Sequence, residues 1–196
     1  VAVPSWRATK DVTIKADIIE EITRIYGYDN FSIITTKSPL KPVKSSPVRS
    51  QSNEMKDILV KHYNLHEVHS YIWCDVRKYK KLGIEVEENV KVLNIESSDN
   101  GTLRNSMIPT LLSAVSDNKD YSDNYGIFEI GRVAAGVKED GNANERRRLG
   151  IVLFDKTISE KELFFKAISM VNEIFLQIKH KAPVLAKVQP AHAWQH

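Results

Sequence analysis

The thirteen residues Thr35 to Pro47, TTKSPLKPVKSSP, constrain the fold of this chain more than any other stretch. They hold three prolines, three serines and three lysines, with Leu40 and Val43 as the only apolar side chains. Each proline locks its own φ and pushes the residue before it out of the helical region, so the segment reads as an extended linker. We take residues 35–48 as that linker. It separates an N-terminal piece, residues 1–34, from a core of about 150 residues, 49–196, an ordinary domain size. Apolar residues at 42% and charged residues at 27% are globular values, which excludes a disordered tail or a fibrous repeat. A single cysteine, Cys74, excludes an intrachain disulfide and a cysteine-cluster zinc site and points to a reducing, cytoplasmic setting. No apolar run approaches the roughly 20 residues of a membrane helix. A net charge of +3 neither requires nor forbids nucleic acid.

Periodicity supplies the elements. Ile18, Ile22 and Ile25 recur at helical spacing, with Asp17 at the expected N-cap, Glu20 in the capping-box position and Gly27 as the stop. A one-sided helix with so little chain before it reads as the end of a larger domain. In the core, a helix is expected from Ser52 to Asn64 with Met55, Ile58 and Leu59 inward. Glu67 to Cys74 reads as a strand, with Val68, Ser70 and Ile72 alternating against His69, Tyr71 and Trp73. Lys91 to Ile95 is a second strand, ended by the turn signal Ser97 to Gly101. Pro109 opens a further helix. Strands follow at Tyr125–Ala134 and Arg148–Asp155, then a helix capped by Ser159 and Glu162 with Phe164, Ala167, Val171, Phe175 and Ile178 on one face. A last strand is expected from Pro183 to Gln189, and the chain stops at His196 with no cap, as though cut. Strands that follow one another directly favour an α+β fold with a mostly antiparallel sheet flanked by helices.

Three clusters could carry chemistry. Asp11, Asp17, Glu20 and Glu21 crowd around one helical turn, where carboxylates either hold a hard cation such as magnesium or offset the positive end of the helix. His62, His66 and His69 lie within eight residues, but Asn64-Leu65 breaks the helix between the first two, so solvated histidines are the better reading. His192 and His196, four apart, admit no interpretation. Arg146-Arg147-Arg148 follows a polar turn with acidic neighbours and no stacking aromatics, and reads as a solvated loop. No phosphate-cradling glycine loop, GxGxxG, nucleophile elbow or HExxH motif occurs.

One run of motifs is distinctive: Val3-Pro4-Ser5-Trp6-Arg7, Asp11, Asp17 to Ile22, and Arg24-Ile25-Tyr26-Gly27-Tyr28-Asp29-Asn30. With Leu103-Arg104-Asn105-Ser106-Met107-Ile108-Pro109-Thr110-Leu111-Leu112 and Phe128-Glu129-Ile130-Gly131-Arg132-Val133, it resembles the bacterial-type phenylalanyl-tRNA synthetase beta chain over nearly its whole length. The resemblance implies the end of a winged-helix-like domain followed by a non-catalytic relative of the class II synthetase core. It implies magnesium held by Asp11, Asp17, Glu20 and Glu21. It also implies a division of labour in which the partner alpha chain activates phenylalanine with ATP and charges tRNA, while this module supports assembly and has no catalytic residues of its own. An active class II strand carries an arginine for the ATP α-phosphate; the comparable strand here has Phe128 and Glu129 but only Arg132 beyond them. The alternative function is a tRNA-binding module using the N-terminal piece and the lysine-rich linker.

Overall fold

A computed structural model describes residues 2–84, 86, 89–93, 95, 101–179, 181–187 and 189–190. The chain forms two compact units, Val1–Lys44 and Ser45–His196. In the first unit, α1 (Ser5–Ala8) leads through a turn into α2 (Lys15–Tyr26) and a 3₁₀ turn, Tyr28–Asn30. Helix α2 starts three residues before the position expected with Asp17 as N-cap. Ile14 is the N-cap, and Asp17, at the third helical position, accepts from the backbone N–H of Ile14 at 2.9 Å and of Thr13 at 2.8 Å. The acidic side chain therefore closes the helix start from inside, the carboxylate half of a capping box, and Glu20 is left free of that role. Gly27 does end the helix: its φ of 94° is open to glycine alone without strain, and a Cβ there would meet Asn30 Nδ2 at 3.0 Å.

The second unit begins with α3 (Pro47–Lys61). Ser46 Oγ accepts from the Arg49 N–H at 3.3 Å and Pro47 stands in the first turn, so the end of the expected linker is a helix cap. Asn64, at φ 54°, turns the chain out, and the Leu65 N–H returns to the Leu59 carbonyl at 3.0 Å. The single strand expected over Glu67–Cys74 is two short ones in different sheets. β1 (His66–Glu67) runs parallel to β4 (Asn124–Val137), while β2 (Trp73–Cys74) pairs antiparallel with β3 (Thr102–Leu103). The side-chain alternation still holds across it: Val68, Ser70 and Ile72 are half-buried and His69, Tyr71 and Trp73 exposed. Of the expected strand at Lys91–Ile95, Lys91 bridges Thr102 and Val92 donates to the Gly101 carbonyl. Asn94 and most of the turn signal, residues 97–100, lie outside the described residues.

After α4 (Val76–Lys81) and α5 (Ile108–Asp117), β4 and β5 (Ala143–Asp155) form a long antiparallel hairpin, with a register shift between Ala134 and Val137. Arg146, Arg147 and Arg148 lie inside β5, not in a loop, because the register that half-buries Leu149 to Leu153 carries the strand on toward the hairpin end. Odd residues of β4 (Ile127, Val133) meet Met107 and Leu111 of the α5 segment. On the opposite face, Phe128 joins Ile58, Leu59, Met170 and Ile174 from α3 and α6 (Glu160–Lys179). The result is a helix–sheet–helix sandwich, α+β as expected. The capping box Ser159–Glu162 is present, with Ser159 N–H to Glu162 Oε2 at 2.9 Å and Glu162 N–H to Ser159 Oγ at 3.3 Å. The inward stripe of α6, however, runs through Met170 and Ile174, leaving Phe164 and Phe175 exposed at 59% and 43%. Pro183 to Gln189 shows no strand among its described residues.

Candidate functional site

At the centre of the sheet lies an ion pair. Arg104 follows β3, its N–H bound to the Ile72 carbonyl and its carbonyl accepting from Ala134 N–H, both at 2.8 Å. Those two backbone bonds aim the guanidinium across the face of β4. Nη2 donates to Glu129 Oε1 at 2.7 Å, Nη1 to Ser70 Oγ at 2.6 Å, and Nε to the Arg132 carbonyl at 3.0 Å. The Ser70 hydroxyl donates in turn to Glu129 Oε2 at 2.5 Å, closing the network. Arg104 and Glu129 are each 1% exposed. Burial pushes the Glu129 carboxyl up, but the bonds from Arg104 and Ser70 outweigh it and hold the group below the usual carboxylate range. Gly131 lets the pair form, since a Cβ there would meet Arg104 Nη2 at 2.3 Å and Glu129 Oε1 at 2.6 Å. Nothing in the spacing of Ser70, Arg104 and Glu129 joins these residues in sequence; only their presence in the two distinctive motifs marks the last two.

Arg132 points to the other face of β4 and donates to Glu145 at 2.8 Å on the hairpin surface. The histidines disperse. His62 Nδ1 sits 2.7 Å from Glu173 Oε1, Tyr63 donates to the other oxygen of Glu173, and the three tie α3 to α6. Burial, then Glu173, pushes the Tyr63 hydroxyl up to about 12. His66 lines a recess of about 210 Å³ with Val68, Ala114, Asn118, Tyr121, Tyr125 and Ile127. That is below the roughly 300–1,000 Å³ of small-molecule sites.

The four acids of the N-terminal unit are all engaged within the chain, Asp11 and Glu21 by the same arginine. Arg7 bridges Asp11 (Nε to Oδ2, 2.5 Å) and Glu21 (Nη2 to Oε1, 2.7 Å), and Arg24 also donates to Glu21. Asp17 closes the start of α2, and Glu20 accepts from the Tyr28 hydroxyl at 3.1 Å. Bonds from Arg7 hold Glu21 below the usual carboxylate range, and backbone bonds from Thr13 and Ile14 do the same for Asp17. Among the described residues no three His, Cys, Asp or Glu side chains are arranged to hold a metal ion. Magnesium needs oxygen ligands gathered at near-octahedral positions, and carboxylates engaged this way do not fit it.

The sheet, covered by helices on both faces and built on a long antiparallel hairpin, shares its fold with an aminoacyl-tRNA synthetase. The structure matches that of the pyrrolysyl-tRNA synthetase PylSc from Desulfitobacterium hafniense with a TM-score of 0.55, over 68% of this chain and 47% of that one. At 15% identity the likeness is one of fold alone. Sequence narrows it. Residues 34–196 match the phenylalanyl-tRNA synthetase beta chain CLM domain, and residues 1–28 match the tRNA synthetase B5 domain. The chain belongs to the phenylalanyl-tRNA synthetase beta chain family. Among its relatives, the phenylalanine–tRNA ligase beta subunit of Solibacter usitatus is 30% identical over 159 residues, 80% of this chain and 20% of the relative. That of Leptospira interrogans serovar copenhageni is 32% identical over 183 residues, 91% of this chain and 21% of the relative. The chain thus spans about a fifth of the length of the curated relatives it matches.

Proposed function

We propose that this chain is the beta-chain module of a phenylalanine–tRNA ligase that supports assembly with the catalytic alpha chain and performs no chemistry itself. The observation that carries this reading is the buried Arg104–Glu129 pair. An active class II core of the kind this chain resembles offers a free guanidinium to the ATP α-phosphate from the strand comparable to residues 126–132. Here Arg132, on that strand, faces the hairpin surface toward Glu145, and Arg104, packed across it, is buried and bonded to Glu129, Ser70 and the Arg132 carbonyl. ATP and magnesium, on this reading, are used by the whole ligase in the cytoplasm, and tRNA is its substrate. The family's heterotetramer of alpha and beta chains is the assembly the module serves.

Exposed apolar groups on α6, Phe164, Phe165 and Leu176, at 50–59% exposure, are the kind of surface a partner chain covers. The test is co-purification with the cognate alpha chain followed by mass determination, together with phenylalanine-dependent ATP–pyrophosphate exchange. A mixed complex that exchanges, and a lone module that does not, is the expected result. Exchange by the lone chain would overturn the assignment.

A further inference from the structure

Two of the four acids that resemble a magnesium set, Asp11 and Glu21, already hold a cation of the chain's own. Helix α1 ends at Ala8, and the Asp11 and Val12 N–H groups both return to the Arg7 carbonyl, at 3.1 and 3.0 Å. That turn, anchored by the buried Val12, brings Asp11 beside Arg7 as an i, i+4 neighbour. The guanidinium then spans to Glu21 on α2. Two arginines, Arg7 and Arg24, face Asp11 and Glu21 and balance those two carboxylates, while Asp17 and Glu20 bond to uncharged donors at Thr13, Ile14 and Tyr28. Lys10 and Lys15, in the connection and at the start of α2, add positive charge nearby.

We infer that Arg7 is the built-in counter-cation of this acidic turn, and that the N-terminal unit is organised by a guanidinium bridge in place of a divalent metal. A planar guanidinium can bond two carboxylates through different N–H groups at once, as Arg7 does, and this pins α1 to α2 as a bridging ion would. For magnesium to bind, it would have to expel Arg7 from both carboxylates and take on the repulsion of two displaced arginines. The inference concerns these side chains only and stands apart from the assembly role.

The experiment is a magnesium chloride titration of this chain, followed by calorimetry and by the Arg7 Nε–H resonance. No saturable heat and an unmoved resonance are expected. In Arg7→Met the two carboxylates lose their main partner, and magnesium should bind at least about tenfold more tightly than to the parent chain. Saturable binding by the parent that shifts the Arg7 resonance and is lost in Asp11→Asn would overturn the inference. So would a folded Arg7→Met chain with no gain in magnesium affinity. If Arg7→Met loses the backbone dispersion of residues 5–30, Arg7→Lys decides: one ammonium does not hold both carboxylates as the planar fork does, so magnesium should bind it more tightly than the parent, and an affinity no greater than the parent's would overturn the bridge.

Discussion

Removing one half of the Arg104–Glu129 pair should be among the most damaging single changes in the core. In Glu129→Ala, Arg104 loses Nη2 to Oε1 at 2.7 Å and the longer Nη1 to Oε2 at 3.3 Å, and Ser70 loses its acceptor. The guanidinium keeps Ser70 Oγ and the Arg132 carbonyl, but its charge is left 1% exposed with no counter-ion. Breaking a buried pair from one side costs about 3–5 kcal/mol. A domain of this size holds roughly 5–15 kcal/mol in all and loses about 2–4 °C of Tm per kcal/mol. Glu129→Ala should therefore lower Tm by roughly 6–20 °C. Replacing both partners, Arg104→Met with Glu129→Leu, removes the uncompensated charge and should recover most of that loss. The assay is urea unfolding by circular dichroism across the double-mutant cycle, with the m value checked for constancy. A Glu129→Ala variant within about 1 kcal/mol of the parent would refute the reasoning, because it would mean that water or rearrangement satisfies Arg104 freely. The sign of the pH dependence follows from the same bonds. Because Glu129 is held low in the fold, its stabilisation is complete above its unfolded pKa of about 4.3 and is lost as pH falls through the folded value. Glu129→Gln should flatten that part of the acid unfolding curve.

Three further outcomes follow from the geometry. Gly131→Ala drives a methyl into Arg104 Nη2 and Glu129 Oε1 and should cost about 1–3 kcal/mol, read as a Tm fall; an unchanged melt would show that the pair has room to move. Glu173→Gln removes the carboxylate charge that helps hold the Tyr63 hydroxyl near 12. Its spectrophotometric titration should move down yet stay above the ordinary 10, since burial is the larger cause, and an unmoved midpoint would refute the contact. Cys74 is 1% exposed and burial pushes its thiol up to about 11, so thiol reagents should label it only as fast as the core opens. Rapid labelling at neutral pH under native conditions would contradict that packing.

Glu129 and Arg104 show why a sequence reader can mark residues without seeing their work. They stand 25 positions apart in different elements, and their partnership exists only because Arg104 is hung between the Ile72 carbonyl and the Ala134 N–H. The acidic turn is the reverse case. Asp11, Asp17, Glu20 and Glu21 are legible as a group from their spacing, but spacing does not say whether carboxylates face an ion or an arginine. Arg7, one turn before Asp11, takes that place once α1 folds back on α2.

What the sequence determined by itself was local. Gly27 stops α2, Pro109 opens α5, Ser159 and Glu162 cap α6, and alternation over Val68 to Trp73 sorts inside from outside, because each depends on backbone geometry or hydrogen bonds within a few residues. The tertiary structure decided the rest. Helix α6 is apolar on more than one side, so the sheet it packs on chose Met170 and Ile174 over Phe164 and Phe175. The 67–74 run divides between two sheets because β4 and β3 offer it separate edges. Arg146 to Arg148 became strand because pairing with Gly131 to Val133 outweighs their preference for solvent. Each of these outcomes depends on partners far away in the chain, whose positions no local pattern encodes.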